Sequence, residues 1–259
     1  MHAIELYKRL PKKNCGKCRQ NKCMPFALSV IKGDAELSEC PYLTGDDVNE
    51  LKGKIVHSDW REDLILRLGE EIRDIDFREV APHLGAELKG KALMLKSMGR
   101  EFVVDPGGEV STQGFITPWI KILLLHYIKT GGKADLSGRW VSFSELKSGM
   151  VKASSFTRDC EEPLRGMLDA DPPKVAQLLI RFGAETRDDF PTEHAWHILL
   201  LPKMPVVVLY WPGDSEFGSK VKVLFDATAD KFLDVESIIF LVEGLVYNIE
   251  AALSRSAQP

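Results

Sequence analysis

The stretch HILLLPKMPVVVLYWPGDSEFGSKVKVLFD, residues 197–226, holds three apolar runs rich in β-branched and aromatic residues. They are cut apart by Pro-Lys-Met-Pro at 202–205 and by Pro-Gly-Asp at 212–214. Such runs between turn-forming residues read as strands. The last one sets Val221, Val223 and Phe225 against Lys220 and Lys222, the alternation of a half-buried strand. An amphipathic pattern from about 235 to 253 predicts a closing helix over one face of that sheet.

Upstream, DPPKVAQLLIRFGAE (171–185) predicts a helix with Asp171 as cap, Pro172 at the first position and Gly183 as terminator. Thr117 and Pro118 open a second helix of the same grammar through WIKILLLHYIK, closed by Gly131 and Gly132. KALMLKSMGREFVVDPGGEV alternates around Ser-Met-Gly, and DPGG at 105–108 reads as a hairpin turn. Two short antiparallel strands are therefore predicted between about 91 and 112. Trp60, Leu64, Leu68, Ile72 and Ile75 make one helical stripe. Strands in antiparallel hairpins beside packed helices are the pattern of an α+β domain.

The chain has 259 residues, 44% of them hydrophobic and 28% charged, the composition of a folded soluble protein. No apolar run reaches the roughly 18 residues of a bilayer span, and MHAIELYKRL has no secretory signal pattern, so the expected address is the cytoplasm. No internal repeat is present, and only the closing SRSAQP reads as a loose tail.

The first 45 residues read as a module of their own, with residues 46–259 as the α+β domain. AIELYKRL is a short helix stopped by Pro11, and MPFALSVIKG is a second one ended by Gly33. Between them lies LPKKNCGKCRQNKC, residues 10–23, followed by Cys40. Four of the five cysteines thus fall here, spaced Cys15-x2-Cys18-x4-Cys23-x16-Cys40. In a reducing compartment such clustering points to metal or redox chemistry rather than to disulfides. Four thiolates satisfy the four irons of a [4Fe-4S] cluster once each. A tetrahedral zinc site needs the same count, but zinc modules usually pair two short Cys-x2-Cys knuckles and this segment has one. So small a module has little apolar mass, and a bound metal centre supplies folding energy.

Charge follows the same division. The whole chain carries a formal −4, yet residues 1–22 hold seven basic side chains against the single acid Glu5. Residues 34–79 reverse this, with fourteen acids and six bases. Lys12, Lys13, Lys17, Arg19 and Lys22 would offset the negative charge of a cluster and offer a docking patch to an acidic redox partner. No aromatic residue interleaves with these bases, which argues against a nucleic-acid arm.

LPKKNCGKC, Cys23, Phe26-Ala27 and Cys40-Pro41 together resemble the four-cysteine module of the large subunit of corrinoid iron–sulfur proteins. They also resemble the module in the B subunit of the Rnf electron-transport complex. The resemblance covers about 45 residues and implies that Cys15, Cys18, Cys23 and Cys40 ligate one [4Fe-4S] cluster. Arg19 and Gln20 depart from it, standing where family members commonly have glycine and another small residue. The rest of the chain looks like an uncharacterised domain that follows such modules in anaerobes.

The remaining candidates carry less chemistry. Cys160 sits among Asp159, Glu161 and Glu162, which oppose thiolate formation, and reads as structural. His194 and His197 face opposite sides if they lie on a strand. His126 reads as a core histidine of the apolar helix with a hydrogen-bond partner. Dinucleotide, phosphate-loop, nucleophile-elbow and zinc-protease signatures are absent, as is the Asp-x-His-x-x-Gly of many cobalamin sites. The expectation is an iron–sulfur protein moving single electrons in anaerobic metabolism. The alternatives are a corrinoid or other tetrapyrrole protein reduced by its cluster, and a zinc-bearing scaffold.

Overall fold

The computed structural model describes residues 3–18, 20–55 and 60–256. The chain divides into two compact units, Met1–Leu64 and Ile65–Pro259. The first is helical, with α1 (Ala3–Arg9), α2 (Cys23–Lys32), a 3-10 turn (Leu37–Glu39) and α3 (Gly45–Lys52). Gly33 takes the left-handed conformation, φ 80°, that ends α2 with N–H bonds back to Ser29 and Val30. Leu6, Leu10, Phe26, Ala27, Val30, Leu37, Leu51 and Ile55 form this unit's own core, together with Cys40. Helix α4 (Trp60–Glu71) carries the stripe at Leu68, and the buried Ile72 follows its end.

The second unit is α+β. Helix α5 (Phe77–Leu84) precedes a meander of β1 (Glu87–Lys89), β2 (Ala92–Ser97), β3 (Arg100–Val104) and β4 (Val110–Thr112). Only β2 and β3 match the two strands expected there; the three-residue strands β1 and β4 are too short for alternation to reveal. Met98 and Gly99, both at positive φ, close the β2–β3 hairpin, and the Asp105–Gly108 turn closes the next.

Helix α6 (Pro118–Thr130) begins on the Thr117 cap, whose hydroxyl accepts the Ile120 N–H at 3.4 Å. A second sheet then has the order β5-β9-β8-β7-β6, with every pair antiparallel. Its strands are β5 (Trp140–Ser142), β6 (Glu185–Thr186), β7 (His194–Leu201), β8 (Met204–Trp211) and β9 (Lys220–Asp226). The expected three-strand reading of 197–226 corresponds to β7, β8 and β9. Between β5 and β6 lie α7 (Gly149–Phe156), a π-helical turn (Thr157–Glu161), α8 (Glu162–Ala170) and α9 (Pro172–Arg181). The Asp171 carboxylate caps α9 through the Lys174 N–H at 3.1 Å.

Seven of the eight residues of β8 are buried because both faces of this sheet are covered. Helices α8 and α10 (Val235–Ser256) pack on β9 and β7. A second small cluster forms where Trp140, Phe190, Trp211 and Leu224 lie over Ala195, Val207 and Leu209. By length and composition α10 is apolar enough to cross a membrane. Here Ile238, Leu241, Val242, Leu245 and Ile249 are fully enclosed, as in a core helix. It runs to Ser256, further than the pattern implied, and the end of the expected tail, residues 257–259, lies outside the described residues.

Candidate metal centre

Cys15 and Cys18 lie on the irregular segment between α1 and α2. Lys12, Asn14 and Gly16 have φ of 55°, 45° and 67°, so every second residue takes the left-handed conformation. Glycine adopts it freely and asparagine tolerates it, whereas lysine is held there by its surroundings. Reversals of this kind turn backbone N–H groups toward a common concavity, the arrangement that binds anions and iron–sulfur groups. The Asn14 N–H does this, donating to Cys23 Sγ at 3.4 Å. Cys18 Sγ donates to the Gln20 carbonyl at 3.2 Å. Cys23 is the first residue of α2, at the positive end of that helix dipole.

Cys40 follows the 3-10 turn Leu37–Glu39. The 3-10 turn before it is closed by a capping box in which the Glu36 N–H donates to the Glu39 carboxylate at 3.0 Å. The Cys40 N–H then bonds to the Leu37 carbonyl, leaving the thiol on the edge of the apolar cluster that Cys18 and Cys23 also touch.

All four cysteines line one pocket, with Pro11, Lys13, Gly16, Gln20, Lys22, Phe26, Pro41 and Tyr42 completing the wall. Among the described residues no three His, Cys, Asp or Glu side chains converge closely enough to hold one metal ion. Four thiols with few competing oxygen donors are the donor set that iron–sulfur groups take, so the residues present fit such a group.

The surroundings are cationic. Lys13 Nζ stands 3.9 Å from the centre of the Tyr42 ring and Lys17 Nζ 5.4 Å, while Lys12 Nζ lies 5.7 Å from the Tyr7 ring. The bond to the Tyr42 hydroxyl pushes the Lys17 ammonium above its ordinary pKa. Arg19, expected in the basic surround, lies outside the described residues. Asn14 and Tyr42 carry roles that cysteine spacing alone does not point to. The sequence signal for Asn14 is its place in LPKKNCGKC, and that for Tyr42 is proximity to Cys40.

The other candidates behave differently. Cys160 is fully enclosed in the π-helical turn, and burial, then Glu243, Asp159 and Glu161, push its thiol pKa up. On β7, His197 meets Trp140 edge-on at 5.7 Å, and His194 packs against Trp196 and Tyr210. The strand turns these two imidazoles to opposite faces. His126 is half-buried on α6, and burial lowers its pKa.

Residues 76–248, more than half of the chain, match the family described as a domain of unknown function, DUF3786. The chain belongs to the DUF3786 family. In this DUF3786 protein residues 10–42, with all four N-terminal cysteines, match a second family, described as "Putative Fe-S cluster". The same region is 44% identical over 50 residues to the acetyl-CoA decarbonylase/synthase complex subunit gamma of Methanothermobacter thermautotrophicus, covering 19% of this chain and 11% of that one. It is 49% identical over 41 residues to the corrinoid/iron-sulfur protein large subunit of Moorella thermoacetica, 16% of this chain and 9% of that one. The Methanocaldococcus jannaschii gamma subunit is 39% identical over 54 residues, covering 21% and 11%. The chain thus spans about a tenth of the length of these curated relatives. No solved structure matches. These matches make the DUF3786 chain an iron–sulfur protein.

Proposed function

We propose that Cys15, Cys18, Cys23 and Cys40 ligate a single [4Fe-4S] cluster and that the protein passes single electrons between a partner and that centre. The observation that carries this reading is the pocket whose wall contains all four thiols. Four ligands on one zinc ion would bring their sulfurs within about 4 Å of one another, whereas a cubane asks each thiolate to meet a different iron around a wider body. The single Cys-x2-Cys knuckle, where zinc modules usually pair two, favours the second case. When bound, the cluster supplies reversible one-electron chemistry. The chain's own contribution is to hold the thiolates, shield one side with Phe26 and Pro41, and offset negative charge with Lys13 and Lys22.

Exposed Lys12, Lys13, Lys17 and Lys22 around the exposed Cys15 make a cationic rim suited to an acidic redox protein. The names of the relatives, subunits of a complex, support a protein partner. We place this activity in anaerobic metabolism and in the cytoplasm, where free thiols persist. The module attached to DUF3786 is the part shared with the corrinoid protein, and 9% of that relative is too little to carry corrinoid binding across.

Anaerobic purification with iron and acid-labile sulfide analysis, visible absorption and low-temperature electron paramagnetic resonance tests the proposal. About four irons and four sulfides per chain are expected, with Cys23→Ala losing the four-thiolate cluster and Cys160→Ala keeping it. Wild-type protein with about one zinc and no sulfide would overturn it, and sharp bands surviving iron chelation would reveal a tetrapyrrole.

A further inference from the structure

We infer that Asn14 is a positioning residue for the third thiol, clamping Cys23 at both its amide and its sulfur. This rests on the four-cysteine reading and deepens it. Cys23 opens α2, whose first-turn N–H groups have no partner within the helix. The residue that should cap them, Lys22, has no acceptor on its side chain and makes no capping bond. Asn14, nine positions earlier, does so from across the loop: its Oδ1 accepts the Cys23 N–H at 2.9 Å. Its own backbone N–H returns a bond to Cys23 Sγ at 3.4 Å. The two bonds tie the start of the cysteine loop to the start of the helix.

The residue type fits three demands at once. At φ 45° the backbone is left-handed, where asparagine is among the few side chains tolerated. The amide offers an acceptor without adding a negative charge beside thiolates. The conformation aims the N–H at sulfur, and hydrogen bonds to cluster sulfurs stabilise the more negative, reduced state and raise the potential. Lys13 over the Tyr42 ring and the Lys12 turn hold the preceding segment in place.

Asn14→Gly separates these roles, because glycine keeps the left-handed backbone and removes only the acceptor. Asn14→Asp keeps an acceptor of the same length. With the full-length anaerobic protein, Asn14→Gly is expected to release iron to a chelator about five- to tenfold faster than wild type. Its midpoint potential is expected to stay near that of wild type, because glycine keeps the backbone N–H that donates to Cys23 Sγ. Asn14→Asp should keep a release rate near that of wild type. Glycine matching wild type in release rate, or glycine and aspartate equally impaired in release, would overturn the clamp. Wild-type protein without iron and sulfide would instead sink the cluster assignment itself, so the two failures are distinguishable.

Discussion

At the scale of single residues, burial does more than neighbouring charge to set the chemistry of Cys160, His126 and His197. Cys160 shows this: acids flank it in sequence, yet its enclosure is the larger cause of its raised pKa. His126 gives the measurable case. Burial holds its pKa below the ordinary value, Lys129 and Arg67 add to the effect, and Asp234 and Glu71 oppose it. The unfolded chain therefore binds a proton more readily than the folded one. That contribution to stability is fully present above about pH 6.5 and is lost as pH falls through the lower, folded pKa. The urea midpoint of wild type should thus fall more steeply between about pH 7.5 and 5.5 than that of His126→Gln. Parallel pH profiles would mean that the imidazole is as free in the native state as in the unfolded one. The grouping of the four cysteines was legible from sequence because their spacing is a local property. The Asn14 clamp and the Tyr42 contacts were not, since they depend on the path of the loop.

At the scale of elements, capped helices and long strands follow the sequence closely, while features created by tertiary packing do not. Asp171, Thr117 and Gly33 act where caps were read because a cap is decided within four residues. Strand β6, with two residues, and the π-helical turn leave no periodic trace. That turn nevertheless carries a consequential contact. It sets Glu161 beside β9, where the carboxylate accepts from Lys222 Nζ at 3.0 Å, Thr157 Oγ1 at 2.9 Å and the Val223 N–H at 3.3 Å. The Glu161 side chain is 5% exposed and that of Lys222 37%. Removing the cation therefore strands a buried charge, whereas the ammonium retains water. Lys222→Met is expected to cost about 3 kcal/mol. Adding Glu161→Gln should recover part of that loss, which chemical denaturation of the two singles and the double would reveal. A double variant less stable than the sum of the singles would contradict the burial argument.

At the scale of the whole molecule, the two units differ in how much apolar material each has to fold with. Among the described residues the first has eight buried apolar residues and Cys40 as its core, and two further proposed ligands, Cys18 and Cys23, pack against that same cluster. The second has two antiparallel sheets and a 22-residue helix with long runs of enclosed side chains. Small cores gain a large fraction of their stability from a bound metal group, and larger ones do not need it. Thiolates released from a metal centre also reprotonate or repel one another, loosening the segment that holds them. Anaerobic removal of iron with a chelator should therefore raise amide hydrogen exchange throughout α1, α2 and α3. The amides of β7, β8, β9 and α10 should keep their protection. The decisive comparison is exchange in metal-loaded and chelated samples of the same full-length chain, read by mass spectrometry at peptide resolution. Equal loss of protection in both units would show that the metal centre stabilises the chain as one cooperative body, and no change in α2 would show that its fold does not depend on the cluster.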